Sequence, residues 1–245
     1  QERSTLVFLH EGLGSIGQWR DFPQRLARLT GCGALAYSRY GYGNSDVLQQ
    51  ARNVDYMHVE AQQVLPELLA KLHINDPILV GHSDGASIAL IFSGSGNRVR
   101  GMILEAPHVF VEAISIRGIT AAKQVFETTD LPEKLGRYHR DAAKTFWGWN
   151  QIWLAPAFRA WSIEEFLSRI NCPVLAIQGV EDEYGSMAQI EAIAKAVPRC
   201  ELLKLADCRH APHRDQTDAV LAAMAAFVGA FENADLSGVA AASYL

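Results

Sequence analysis

The sequence predicts an α/β protein in which helices cover a mostly parallel sheet of about six strands. Three observations predict this fold class. Six short runs of β-branched and other apolar residues recur along the chain, and longer amphipathic segments separate most of them. Strands that alternate with helices in this way form parallel sheets. Between the fourth and fifth runs lies a long stretch with helical spacing only, which predicts an inserted helical segment.

The six runs have the length of strands that are buried on both faces of a sheet. They cover residues 5–10, 33–38, 77–80, 99–104, 173–178 and 201–205. Apolar residues at helical spacing predict helices over residues 19–29, 56–72, 86–93, 187–197 and 217–231. We therefore expect residues 1–108 and 171–233 to form the core, with a C-terminal tail at residues 234–245.

The helical segment at residues 109–170 separates the fourth strand from the fifth. A helical insertion of this length is typical of a lid over a binding site. The segment carries Trp147, Trp149 and Trp153. Their rings are expected either to form the core of the lid or, for one or two of them, to face an apolar acyl or aromatic substrate.

A G-x-S-x-G motif at Gly81, Ser83 and Gly85 follows the third strand and precedes a helix. The glycines let the chain reverse so sharply that the serine is lifted clear of the sheet in a strained conformation. The free amides and positive dipole end of the following helix favour an anionic intermediate. The motif therefore predicts a nucleophilic serine, because the strand, turn and helix that this chemistry needs are all present.

A serine hydroxyl is a poor nucleophile at neutral pH, so a base must take its proton and a third group must orient that base. Carboxylates follow the fifth strand in the loop at residues 179–185, and histidines follow the sixth strand in the loop at residues 207–213. Both loops lie at carboxyl ends of strands, where the active sites of open α/β sheets assemble. The chain order serine, acid, histidine predicts a catalytic triad.

Taken together, these segments resemble the α/β-hydrolase superfamily over nearly the whole chain. The resemblance rests on the G-x-S-x-G motif, the acid and histidine loops, and two further stretches at residues 10–15 and 41–45. It implies an α/β-hydrolase fold with a helical lid. It also implies Ser83 as nucleophile, His210 as general base and Asp182 as the acid that orients it. Family members hydrolyse esters, thioesters, lactones, amides or certain carbon–carbon bonds.

The acid position has rivals in this sequence. The family's spacing from Gly179 favours Asp182 over its neighbours Glu181 and Glu183. Glu105, directly after the fourth strand, is an alternative acid position used by some relatives.

The base position has one rival, His213. The family places its base before a small residue and a proline, which His210 satisfies through Ala211 and Pro212. His213 is therefore expected to lie behind the site or at the surface. Cys208 in the same loop is interpreted as core filler, with a thiol that lines the site as the alternative.

The resemblance also implies an oxyanion hole made by two backbone amides. One belongs to Asp84, which follows the nucleophile. The other comes from the loop after the first strand, where this chain has His10, Glu11 and Gly12 in place of the family's usual His-Gly. Alignment of this loop places Gly12 at the donor position, with Leu13 as the alternative.

Two carboxylates and a histidine bear on the substrate. Glu11 and Asp84 together predict an acidic pocket for a cationic group. Alternatively, Asp84 caps its helix and Glu11 pairs with Arg39 or another basic side chain. His108, directly after the fourth strand, is expected to touch the substrate or the lid.

Composition excludes several classes of partner. The net charge is −5 and no basic run appears, which argues against nucleic acid. No apolar stretch reaches the roughly 18 residues of a membrane span, and the first residues lack a signal-peptide pattern. The four cysteines lack the CxxC spacing of a zinc site and are interpreted as reduced thiols, so we expect a cytoplasmic protein.

The sequence thus predicts a hydrolase that cleaves a carboxylic ester, thioester or lactone of a small molecule through an acyl-enzyme. One alternative is hydrolysis of a carbon–carbon bond in a ring-fission diketone, and another is a non-catalytic ligand-binding protein on the same fold. No cofactor is expected, because no metal-ligand cluster or phosphate-binding glycine loop appears. The sequence does not predict the oligomeric state.

Overall fold

A six-stranded parallel sheet forms the centre of the protein. The computed structural model describes the backbone of residues 4–242 and the side chains of residues 4–230. The strands are β1 (Thr5–Leu9), β2 (Gly33–Ala36), β3 (Ile78–His82), β4 (Gly101–Glu105), β5 (Val174–Gly179) and β6 (Cys200–Leu205). Their order across the sheet is β2-β1-β3-β4-β5-β6, and every pairing is parallel. The predicted fold class is confirmed, and each predicted run overlaps a strand.

The central strands end together at one edge of the sheet. Leu9 of β1 is paired with Gly81 of β3, and His82 is paired with Glu105 of β4. Glu105 is paired in turn with Ile177 of β5. Because the register is aligned, the loops that follow these strands converge at the same edge.

Helices cover both faces of the sheet and form the inserted segment. They are α1 (Phe22–Thr30), α2 (Tyr56–Val59), α3 (Leu65–Lys71), α4 (Asp84–Gly94), α5 (Ala113–Thr128), α6 (Leu131–Gly136), α7 (Ala142–Leu154), α8 (Glu164–Leu167), α9 (Ala188–Ala196), α10 (Pro212–Asp215) and α11 (Thr217–Ala242). A π-helical turn (Glu60–Val64) joins α2 to α3, so the helix predicted at residues 56–72 is one continuous segment.

Alternate residues of a buried strand contribute to cores on opposite faces of the sheet. In β1, Leu6 and Phe8 share a core with α1 and α11, whereas Val7 and Leu9 share a core with α3 and α4. Helix α4 is buried over its whole length. The residue that precedes α4 therefore lies near the centre of the molecule, at the edge where the loops converge.

Residues 109–170 contain helices α5 to α8 and join β4 to β5. An isolated antiparallel bridge between Phe110 and Ser162 holds the two ends of this insertion together. Helices α5 and α7 pack through Phe126 and Phe146, whose stacked ring centroids are 3.8 Å apart. Helix α8 instead packs through Phe166 on α4, so this part of the insertion joins the helix layer on the sheet.

The C-terminal helix α11 is longer than the sequence suggested. It continues to Ala242, past the end predicted at residue 231, so residues 234–242 of the predicted tail are helical. Residues 243–245 of that tail lie outside the described residues. Among the helices described, none combines the length and apolarity needed to cross a bilayer.

Candidate active site

Ser83 occupies the tight turn between β3 and α4. Its backbone angles, φ 54° and ψ −117°, lie in a region that side-chain-bearing residues rarely adopt. The flanking glycines make the turn possible. A Cβ at Gly85 would lie 2.0 Å from the carbonyl oxygen of Leu9, and one at Gly81 would lie 2.6 Å from the backbone nitrogen of Ala86. Neither position therefore accepts a side chain without movement of the backbone.

The structure brings Ser83, His210 and Asp182 into one hydrogen-bonded chain. His210 Nε2 is 3.0 Å from Ser83 Oγ, and His210 Nδ1 is 2.9 Å from both carboxylate oxygens of Asp182. A carboxylate only accepts hydrogen bonds, so the proton of a neutral His210 ring resides on Nδ1 and leaves the Nε2 lone pair for the serine hydroxyl. This arrangement can take the proton from the Ser83 hydroxyl.

The Asp182 carboxylate is held by groups other than the histidine. Oδ1 accepts hydrogen bonds from the backbone N–H groups of Tyr184, at 2.8 Å, and Gly185, at 3.3 Å. Oδ2 accepts from Gln178 Nε2 at 2.6 Å. Burial opposes ionisation of this carboxyl, but the charge and hydrogen bond of His210 together with the backbone N–H of Tyr184 keep its pKa below the usual value. Asp182 is therefore fixed as an anion that orients the ring.

The rival acid and base bind each other. Glu105 Oε2 accepts hydrogen bonds from the backbone nitrogen and the Nδ1 of His213, at 3.0 and 2.7 Å. Both side chains are buried behind the His210 loop. Of the remaining carboxylates, Glu183 is paired with Arg209 at 3.0 Å and Glu181 is exposed. The structure brings none of these four groups to Ser83.

Two further sequence candidates lie away from the cavity. Cys208 is fully buried in the core beneath the sheet edge. Trp147 packs edge-on against Phe126 and Phe146, with the Lys123 ammonium over its ring. Trp147, a candidate substrate contact from the sequence, therefore belongs to the core of the insertion and does not line the cavity, because its position on α7 turns the ring toward α5.

Two residues of the loop after β1 have unbonded amides and line the same cavity as Ser83. No hydrogen bond to a protein acceptor occurs at the N–H of Gly12 or of Leu13 within the described residues. The N–H of Asp84 opens helix α4 and so has no acceptor within the helix. Both Gly12 and Leu13 border the cavity beside Ser83, so both remain candidates for an oxyanion donor.

Polar side chains fix the orientation of that loop. Arg39 donates its guanidinium N–H groups to the carbonyl oxygens of His10 and Glu11. The His10 ring donates from Nδ1 to the Glu11 carbonyl at 2.8 Å and accepts the Arg39 backbone N–H at Nε2. His139 of the insertion binds the Leu13 carbonyl at 3.0 Å. The loop that carries the Gly12 and Leu13 amides is therefore fixed by contacts with Arg39 and with the insertion.

The two carboxylates expected to attract a cation are already bound within the protein. Glu11 lies 3.3 Å from both His82 Nδ1 and Arg214 Nη2, so it pairs with basic groups other than Arg39. Asp84 accepts a hydrogen bond of 2.6 Å from the Tyr56 hydroxyl instead of capping α4. The interpretation of an acidic pocket for a cationic substrate therefore loses its support.

A cavity of about 120 Å³ opens above Ser83. Helices α5 and α7 contribute Ile119, Trp149 and Trp153 to its wall. Its lining consists of Glu11, Gly12, Leu13, Ser83, His108, Ile119, Trp149, Trp153, Tyr184 and His210. Sequence reasoning missed Ile119 and Tyr184. Tyr184 could have been found, because it lies two residues after Asp182 in the acid loop. The apolar pattern of α5 did not distinguish Ile119 from residues that pack against protein.

A comparison with protein families agrees with this geometry. The model of the alpha/beta hydrolase family matches residues 6–223, a range that includes part or all of every strand and every residue of the site. The chain belongs to the α/β-hydrolase family. The resemblance inferred from sequence is thereby confirmed, and membership of this family supports a hydrolase.

Solved structures of other α/β-hydrolases share the fold. A hydrolase from Pseudomonas aeruginosa PA01 is 20% identical, with 93% of this chain and 90% of that chain covered and a TM-score of 0.72. The enol-lactonase from Burkholderia xenovorans LB400 is 18% identical, with 93% and 92% covered and a TM-score of 0.72. A monoacylglycerol lipase from Paleococcus ferrophilus is 16% identical, with 93% and 94% covered and a TM-score of 0.66. Among curated protein sequences, the search finds no significant match.

Proposed function

We propose that this α/β-hydrolase is a serine hydrolase that cleaves a carboxylic ester, thioester or lactone through an acyl-enzyme. One observation carries the proposal. An unbroken chain of hydrogen bonds runs from Ser83 Oγ through His210 to Asp182, and it begins at a strained turn that faces a cavity. A nucleophile, a base and a group that orients the base are the parts that acyl transfer needs.

In the first half-reaction, Ser83 Oγ attacks the carbonyl carbon of the substrate while His210 Nε2 takes the hydroxyl proton. Asp182 holds the ring in place and stabilises the imidazolium that forms. The tetrahedral intermediate collapses when Nε2 passes that proton to the leaving oxygen or sulfur, and the bond to the leaving group breaks. Water then attacks the acyl-enzyme with His210 as base, which releases the carboxylic acid and restores Ser83.

The developing oxyanion receives hydrogen bonds from the amides of Gly12 and Asp84, with Leu13 as the alternative donor in the same loop. Support comes from the unbonded state of these N–H groups and from Arg39, which binds the carbonyl oxygens of His10 and Glu11 and so fixes the loop. Loss of a single donor of this kind typically lowers kcat by about 10²–10³.

Residues 109–170 act as the lid of this site. Helices α5 and α7 close the cavity above Ser83, while the Phe110–Ser162 bridge anchors the base of the insertion. A cavity of about 120 Å³ is smaller than the roughly 300–1,000 Å³ typical of sites for drug-sized ligands. Its size favours a short acyl group.

A fluorophosphonate probe, which reacts with activated serines, tests the proposal. Wild type is expected to label rapidly and Ser83→Ala to remain unlabelled. Ser93→Ala removes another buried serine of α4, far from the cavity, and is the matched control that is expected to label like wild type. The proposal fails if wild type does not label or if Ser83→Ala labels equally well.

A further inference from the structure

His108 is a buried histidine in the wall of the cavity that the triad does not use. Its side chain lies at the end of β4, and only 3% of the residue is exposed. The ring centroid is 5.9 Å from that of His210 and 4.9 Å from that of Trp153. His108 therefore lies beside the reacting groups without joining their hydrogen-bonded chain.

The His108 ring has no hydrogen-bond partner among the described residues. Nδ1 is sealed from solvent and unbonded, and Nε2 makes no hydrogen bond either. Buried polar groups in folded proteins nearly always have a partner, and the exceptions concentrate at functional sites. The cavity is the space from which such a partner can reach this ring.

The backbone around His108 is held rigidly. Ser87 Oγ on α4 donates to the His108 carbonyl at 2.6 Å, and the His108 N–H reaches the same oxygen at 3.3 Å. The next residue, Val109, donates its N–H to Gln189 Oε1 at 2.7 Å. Side chains held this way bind a ligand group without losing much conformational freedom on binding.

The charge state of the ring restricts the chemistry of its partner. Burial and the nearby His210 ring lower the pKa of His108 to about 3, so the imidazole is neutral at physiological pH. A neutral imidazole has one N–H donor and one lone pair, which match a hydroxyl group in either tautomer. Most other walls of the cavity are apolar, among them Leu13, Ile119, Trp149 and Trp153.

We propose that His108 determines substrate specificity by a hydrogen bond to a hydroxyl group on C2 or C3 of the acyl chain. The preferred substrates are then esters or thioesters of short hydroxy acids. This inference rests on the proposed function. The hydroxyl belongs to the acyl part because that part alone stays attached to Ser83 between the two half-reactions, in a cavity of about 120 Å³ whose wall includes His108.

Matched thioesters test the inference. The N-acetylcysteamine thioesters of butanoate, 2-hydroxybutanoate and 3-hydroxybutanoate, the last two as separate enantiomers, differ only in the hydroxyl group, and a thiol reagent measures their hydrolysis. Wild type is expected to prefer one hydroxyacyl substrate over butanoyl by about tenfold or more in kcat/KM, because the unsubstituted acyl group leaves the buried ring unpaired.

Variants of His108 show whether this side chain causes the preference for a hydroxyacyl substrate. His108→Phe keeps a flat ring without hydrogen-bonding atoms and is expected to bring the ratio of kcat/KM close to one. His108→Gln restores a donor and an acceptor and is expected to regain part of the ratio. His58→Gln, the same change at a histidine outside the cavity, is expected to keep the wild-type ratio. Thermal unfolding verifies that each variant is folded.

The outcomes separate this inference from the proposed function. If Ser83 labels with a fluorophosphonate but wild type shows no hydroxyacyl preference, or hydrolyses none of the thioesters, the inference is overturned and the serine hydrolase stands. A preference that survives in folded His108→Phe also overturns it. Failure of Ser83 to label overturns both proposals.

Discussion

Substitution of Gly12 by alanine tests the proposed oxyanion loop, because the structure leaves no space for a side chain there. A Cβ at this position would lie 2.2 Å from Nε1 and 2.3 Å from Cδ1 of Trp149. Ordinary contact begins near 3.4 Å, so the loop and the indole must separate by about 1.2 Å. The indole is packed against Phe146 in α7, so its movement would disturb that contact.

The loop is therefore the part expected to move. A displacement of about 1 Å in a positioned catalytic group can lower the rate about 10²-fold, and loss of one oxyanion donor about 10²–10³-fold. We expect Gly12→Ala to lower kcat by 10²–10³ with little change in KM, since the interaction is stronger in the transition state than in the bound substrate.

Steady-state kinetics on an activated short-chain ester measures this loss, and a double-mutant cycle assigns its cause. Trp149→Ala opens the space that the new methyl group needs. In that background Gly12→Ala is expected to lose far less activity, with a coupling of about 1–3 kcal/mol between the two sites. An active Gly12→Ala enzyme, or an equal loss in both backgrounds, would refute the steric argument.

Three further predictions follow from the site and the turn beside it. Asp182→Asn is expected to lower kcat by about 10³–10⁴ in steady-state assays, because an uncharged amide whose NH2 group can face Nδ1 no longer fixes the productive tautomer of the histidine. The low pKa of His108, about 3, disfavours its protonation in the folded state. Its neutral ring therefore makes its full contribution to the free energy of unfolding above about pH 6.5, and this contribution is lost as the pH falls toward 3. Urea unfolding measures this contribution. Between pH 7 and pH 4, the free energy of unfolding should fall by about 3 kcal/mol less in His108→Gln than in wild type. Gly85→Ala, whose methyl group would lie 2.0 Å from a carbonyl oxygen, is expected to lower the free energy of unfolding by at least several kcal/mol, whereas Gly136→Ala, with open space around it, should raise it by about 0.5–1 kcal/mol.

The sheet was predictable because a buried strand leaves a local pattern. Runs such as that of β3 are apolar at every position, since both faces are covered, and glycines and polar residues mark where they end. The candidate triad was predictable for a related reason. Aligned parallel strands bring the residues after their carboxyl ends together, so Ser83, Asp182 and His210 could be expected to meet from chain order alone.

The cavity wall was not predictable in the same way. Trp147, Trp149 and Trp153 lie on the same helix, yet α7 presents the latter two to the cavity and the first to α5. Helical spacing separates the faces of a helix, but it does not say which face meets the site and which meets another helix. Ile119 illustrates the same limit, because an apolar residue on α5 looks identical whether it packs against protein or against substrate.

The partners of Glu11 could not be predicted from the local sequence either, and they change how this residue is interpreted. His82 Nε2 donates to the carbonyl of His210 at 2.7 Å, while its Nδ1 lies 3.3 Å from Glu11 Oε2. Burial opposes protonation of His82, but the hydrogen bond and charge of Glu11 raise its pKa above the usual value. Through His82, Glu11 connects the loop of the proposed oxyanion donor to the loop of the proposed base. A carboxylate that suggested a cationic substrate is therefore better explained as the group that fixes the relative position of the proposed oxyanion loop and the His210 loop around Ser83.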